Sequence, residues 1–244
     1  MTALYKTAGM VSRLTDILFP PVCIFCGRIL LREMDDAAAF FSDKLQICRY
    51  CLVVLPLRFP GERRISCLSN PYEGDPAPDL QVLIPFRYED PVVRALRAVK
   101  FHDAPYIGKS LSFFMSEAVL AQDALFDAVI PIPLSARRRK KRGFNQAELL
   151  AEPLAGRMAV PYLPSFLIRT KHTRQQSRFS DPIRRSANIS GAFCVPDECV
   201  VEGLSILLVD DVLTTGSTLH EAAILLYKKG ARYVAGIAAA SGRK

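Results

Sequence analysis

Ile206, Leu207, Leu208 and Val209 are apolar in unbroken succession, without the alternation of a half-buried strand. That pattern predicts a central strand of a parallel sheet, covered on both faces. Elsewhere the spacing is helical: Val92, Val93, Leu96 and Val99 predict a helix over residues 91–100, and a second helix is expected over 106–120. Residues 81–88, 163–168 and 233–240 read as further strands, and 127–135 as a strand that empties into a loop. Asn145 is the expected N-cap of a helix reaching Met158, with Glu148 three residues on. Residues 214–218 open another helix, running to residue 229. Residues 169–188 contain almost no apolar side chain except Phe179 and Ile183, and so predict a polar loop unable to pack on itself. Strands alternating with helices point to an α/β fold.

Length and Pro, Gly and charge content divide these patterns into two domains, since 244 residues exceed the usual single-domain size. Residues 56–78 are rich in Pro, Gly and charge, which places the boundary near residue 76, with domains at 1–75 and 76–244. Half of the residues are hydrophobic and 23% are charged, so a core forms and wholesale disorder is excluded. Residues 1–19 carry Lys6, Arg13 and Asp16 among their apolar positions and read as an amphipathic helix ending at Pro20 and Pro21. That stretch is neither a signal peptide nor a membrane span, so a cytoplasmic protein without membrane insertion is expected. The net charge of +8 and the pI near 9.2 favour anionic partners, nucleic acid among them. Six consecutive cations at 137–142 form the sharpest basic run, expected in the loop after the 127–135 strand.

The candidate chemistry lies at two places. Asp210 and Asp211 follow the buried strand directly, and Thr214, Thr215, Gly216, Ser217 and Thr218 begin the helix after them. Free amides, hydroxyls and the positive end of a helix dipole hold an anion the size of a phosphate, and glycine lets the backbone approach it. Adjacent carboxylates do not suit a phosphate, but they accept hydrogen bonds from the vicinal hydroxyls of a ribose. The second place is Cys23, Cys26, Cys48 and Cys51, two C-x-x-C pairs with 21 residues between them. Four thiolates at that spacing make a closed, structural Zn²⁺ site, with Gly27 permitting the first knuckle turn. Cys67, Cys194 and Cys199 stand outside the set.

The segment 206–218 resembles the binding motif of type I phosphoribosyltransferases. Pro-Ile-Pro-Leu-Ser at 131–135, Arg-Gly-Phe-Asn-Gln at 142–146 and Arg-Ser-Ala-Asn-Ile-Ser-Gly-Ala-Phe at 185–193, behind four paired cysteines, resemble the ComF family of competence-associated proteins. The resemblance spans almost the whole chain. It implies a type I phosphoribosyltransferase domain, a mostly parallel sheet flanked by helices, behind a small zinc ribbon. Asp210 and Asp211 would then bind the ribose hydroxyls of phosphoribosyl pyrophosphate (PRPP), Thr214 to Thr218 its 5-phosphate, and Leu134 and Ser135 its pyrophosphate, with Mg²⁺. Arg142, Gln176 and Arg185 are the candidates for stabilising the departing group and for the mobile loop; Asn188 also falls on the family pattern. Lys100 resembles a lysine that relatives carry, with no role fixed. Enzymes for 6-oxopurines carry an acid where Thr214 stands, so purine salvage is disfavoured and the acceptor is open. Two functions follow: transfer of a phosphoribosyl group to a nitrogenous acceptor, or non-catalytic sensing of PRPP or a nucleotide in DNA uptake, with competence proteins or single-stranded DNA as partners.

Overall fold

The computed structural model describes residues 20–30, 45–58, 65–69, 78–101, 105–122, 124–170 and 191–242. The chain separates into two compact units, Met1–Leu55 and Pro56–Lys244. The expected N-terminal helix, the boundary near residue 76, Gln176, Arg185 and Asn188 all lie outside the described residues.

In the small unit an isolated bridge between Val22 and Ile29 closes a loop over the first cysteine pair. The short helix α1 (Arg49–Val53) carries the second pair, with Cys48 at its N-cap.

The larger unit is built on one sheet in the order β1-β2-β8-β7-β4. Its strands are β1 (Ile65–Leu68), β2 (Leu80–Leu83), β3 (Phe86–Arg87), β4 (Ala128–Pro131), β7 (Ser205–Leu213) and β8 (Tyr233–Ser241). All pairings within it are parallel except β1 with β2. Helices α2 (Val92–Phe101), α3 (Pro105–Leu120), α4 (Ala136–Arg142), α5 (Gln146–Met158) and α6 (Ser217–Lys228) complete it. Ile206, Leu207, Leu208 and Val209 are all fully buried, as a strand covered on both faces requires. Helices α3 and α5 approach closely because Gly108 lies against Leu149, where a Cβ would strike the Leu149 carbonyl. Ser112 Oγ donates to the Leu150 carbonyl across the same contact, at 2.7 Å.

Four elements differ from expectation. The strand expected at 206–209 extends from Ser205 to Leu213, because β8 continues beside it and supplies partners as far as Ser241. The strand expected at 81–88 is interrupted at Ile84 and Pro85, where Pro offers no N–H, and resumes as β3 alongside β8. The strand expected at 163–168 shrinks to β5 (Ile168–Arg169), paired with β6 (Phe193–Cys194), since Pro161 and Pro164 break the run. The basic run 137–142 is not a loop but most of helix α4, ended by Gly143 at φ 82°. Arg and Lys are good helix formers, and Arg139 is neutralised by a two-bonded pair with Glu148 at 2.7 and 3.1 Å.

Candidate functional site

Cys23, Cys26, Cys48 and Cys51 converge, with all four sulfur atoms within 4.8 Å of one another. The knuckle geometry follows from local hydrogen bonds: Gly27 N–H donates to the Cys23 carbonyl and Cys23 N–H to that of Arg28, both at 2.8 Å. Gly27 takes φ 73°, the left-handed conformation that a side chain resists. Cys48 Sγ accepts from the Cys51 amide at 3.4 Å and stands 3.7 Å from Cys26 Sγ. A tetrahedral ion with metal–sulfur bonds of about 2.3 Å requires sulfurs about 3.8 Å apart, so this donor set fits Zn²⁺. Burial pushes the Cys48 and Cys51 thiols up, and their sulfur neighbours push Cys51 higher. Burial also acts on Cys26, but hydrogen bonds to the Arg28 backbone and the other cysteines outweigh it and hold that thiol below its ordinary value. Cys67, on β1, and Cys194 and Cys199 lie outside this cluster, and all seven cysteines are free of disulfides. Lys100 falls in the last turn of α2.

The second site forms where β4 leaves the sheet. Pairing of β4 with β7 ends at Pro131 opposite Val209, and Ile132 N–H makes a last bond to the Val209 carbonyl at 2.8 Å. Asp210 is therefore the first residue of β7 past its partner, and the turn holding half-buried Leu134 and buried Ser135 departs beside it. Asp210 and Asp211 are both half-buried, and Asp210 Oδ1 accepts from the Asp211 amide at 2.8 Å.

Beyond them the chain turns into α6 through Gly216, its N-cap, at φ 82°. A Cβ at Gly216 would collide with Leu68 of β1, so this glycine is demanded by packing as well as by its torsion angle. Thr215 Oγ1 and Ser217 Oγ lie 2.9 Å apart, and the Ser217 amide donates to Thr215 Oγ1 at 3.4 Å. Thr214 is exposed and Thr218 half-buried; Thr214, Thr215 and Gly216 form the bend, and Ser217 and Thr218 are the first residues of α6. Glu221 of α6 accepts from the Gly191 amide at 2.5 Å, which ties the segment leading into β6 to the same helix.

Arg142 ends α4 with its Nη1 donating to Gln146 Oε1 at 2.8 Å. Arg138, one helical turn earlier, shares its half-buried face, whereas Arg137, Arg139, Lys140 and Lys141 are exposed. Arg169, on β5, stacks its guanidinium over the Phe193 ring at 5.2 Å. Burial lowers the Arg169 guanidinium below its ordinary value and Arg138 adds to the effect, while Asp210 opposes it. Burial likewise lowers Arg138, with Arg142 contributing. Electrostatic influence thus links Arg142 to Arg138, and Arg138 and Asp210 to Arg169.

Asp210, Asp211 and residues 214–218 follow the part of β7 that pairs with β4, Leu134 and Ser135 lie in the turn after β4, and Arg142 ends α4. Arg138 enters the sequence reading only as part of the basic run 137–142 and Arg169 only as one of the arginines of the polar loop 169–188, whereas Gln146 has no role there. The four-residue spacing of Arg138 and Arg142 within a helix was the available signal for the first; Gln146 stood inside the Arg-Gly-Phe-Asn-Gln word with no role given to it.

A family model for a phosphoribosyl transferase domain matches residues 141–243. The DNA utilization protein YhgH of Salmonella typhimurium is 32% identical over 219 residues, 87% of this chain and 87% of that protein. Competence protein F of Haemophilus influenzae is 34% identical over 215 residues, 85% of this chain and 91% of that protein. Among solved structures, the B. subtilis glutamine PRPP amidotransferase complexed with ADP and GMP aligns at 17% identity and a TM-score of 0.40, covering 58% of this chain and 30% of its own.

Proposed function

This chain belongs to the ComF family, and from that premise we propose that it binds PRPP with Mg²⁺ and displaces pyrophosphate from the ribose with a nitrogenous acceptor. One observation carries the reading: two half-buried acids stand where β4 leaves β7, and a glycine-capped helix with hydroxyls at its entrance follows within six residues. Asp210 and Asp211 accept from the ribose hydroxyls, which fixes the ring and favours positive charge developing on it. The amides and hydroxyls of Thr214, Thr215, Gly216, Ser217 and Thr218 hold the 5-phosphate against the positive end of α6. Leu134 and Ser135 border the pyrophosphate, and Arg142 meets its charge as it departs. Gln176 and Arg185 join this set by the family pattern alone. Mg²⁺, bound through the pyrophosphate, supplies electrostatic stabilisation of the leaving group. In the small unit Cys23, Cys26, Cys48 and Cys51 hold a structural Zn²⁺.

A second reading, a PRPP or nucleotide sensor acting with nucleic acid in DNA uptake, draws on the exposed cations Arg137, Lys140 and Lys141 of α4 and on the names of the relatives. Calorimetric titration of the zinc-loaded protein with PRPP and Mg²⁺, beside an Asp210→Asn, Asp211→Asn double variant, tests the shared core of both. Wild type should bind, and the variant should lose roughly 100-fold or more, as expected for two charge-assisted hydrogen bonds of about 1.5–3 kcal/mol each. Equal binding by the two proteins would remove the acids from the ribose site. Pyrophosphate release with candidate acceptors then separates the enzyme from the sensor.

A further inference from the structure

We propose that Gln146 is a positioning residue for Arg142, holding its guanidinium by an uncharged acceptor so that the cation meets a pyrophosphate with its charge intact. The inference rests on the PRPP reading above and assigns a role within that site.

Gln146 is only 3% exposed, yet it is polar and opens helix α5. Its Oε1 accepts from Arg142 Nη1 at 2.8 Å, and its Nε2 has no hydrogen-bond partner. Arginine can only donate, which fixes the orientation of the amide. A buried N–H without a partner is unfavourable, so a side chain present for packing alone would be apolar there. The amide is held in place from the neighbouring position: Asn145 Nδ2 donates to the Ile132 carbonyl at 2.9 Å, which anchors the start of α5 to the turn that departs beside Asp210.

The same helix shows the alternative. Arg139 is met by the Glu148 carboxylate in two bonds, at 2.7 and 3.1 Å, and its charge is cancelled locally. Arg142, whose neighbour on the inward face is Arg138, is met by a neutral amide instead. Arg169 feels the field of Arg138 and, in opposition, that of Asp210. A carboxylate at position 146 would give Arg142 a stronger bond and a smaller field, so the choice of an amide preserves net positive charge for a polyanion.

The test uses the full chain and two separate probes, inorganic pyrophosphate with Mg²⁺ and ribose 5-phosphate. Gln146→Glu should weaken pyrophosphate binding at least about tenfold while ribose 5-phosphate binding changes less than about twofold. Gln146→Met keeps the charge and loses only the hydrogen bond, so its loss on pyrophosphate should be smaller, about threefold to fivefold. Should Gln146→Glu fail to fold, the methionine variant decides the matter through the same selectivity between probes. Undiminished pyrophosphate affinity in the variants, or equal losses on both probes, overturns the proposal and leaves the PRPP reading standing. A wild type that binds ribose 5-phosphate but not pyrophosphate also overturns it. A wild type that binds neither overturns the PRPP reading and this proposal together.

Discussion

Gly216 answers to two constraints at once, a φ of 82° and a Leu68 side chain that occupies the place of a Cβ. Gly216→Ala should therefore destabilise the protein by roughly 1–3 kcal/mol, through a strained backbone and a forced shift of Leu68. Denaturant unfolding beside wild type reads this directly, and an unchanged midpoint would mean that the turn rearranges freely. The glycine was legible in the sequence as a place for close approach, but its neighbour was not, because Leu68 is 148 positions away and no local pattern joins the two. The clustering of the four paired cysteines, and the position of the acids at 210 and 211 at the end of a buried run, were legible for the opposite reason: both rest on residue type and short-range spacing. Arg169 was hidden inside a segment that reads as uniformly polar, and only the pairing of β5 with β6 brings it under Phe193.

Among the elements, α5 was the most fully announced, since Asn145 caps it as expected, accepting from the Ala147 amide at 3.2 Å. The same side chain also donates to the Ile132 carbonyl, a tie across 13 residues that no capping pattern contains. Asn145→Ala should cost about 2–4 kcal/mol, the sum of a lost cap and a buried carbonyl left without its donor. Asn145→Asp keeps the cap acceptor and loses the donor, so it should fall between alanine and wild type in urea midpoint. A ranking with aspartate below alanine would contradict this division of roles. Helix α4 is where element-scale reading failed: six like charges read as a solvated loop. The flanking Ser135 and Gly143 marked a short helix, and the relief supplied by Glu148 depends on the following element. The length of β7 was misjudged for a related reason, since its last four residues depend on β8 for pairing.

Across the molecule, the strand and helix alternation fixed the α/β class, but strand order comes from long-range register that hydrophobic runs do not encode. The two units make different demands. Among the described residues of the cysteine-bearing unit, Ile24, Phe25, Leu45 and Ile47 pack with the four clustered thiols, so an ion held there would contribute directly to the stability of that region. Chelation should abolish its fold, seen as loss of amide exchange protection around residues 23–27 and 45–51. Retained protection would make the metal dispensable. The pH dependence has a definite sign. Burial raises the Cys48 and Cys51 thiols, so these hold protons at neutral pH that the ion must displace. Affinity for Zn²⁺ therefore falls as the pH is lowered, about tenfold per unit for each proton released, and a competitive chelator titration at two pH values checks it.

The larger unit has a further property set by its strand order. β8, the last strand in chain order, lies between β2 and β7 near the centre of the sheet. During synthesis, then, β2 and the β4–β7 pair emerge from the ribosome with their inner edges bare, and no native partner can reach them until residues 233–241 are out. The inner edge of β2 therefore stays open from residue 83, and that of β7 from residue 213, until β8 is made, so this part of the sheet closes by nonlocal pairing and depends until then on protection from other unfinished chains.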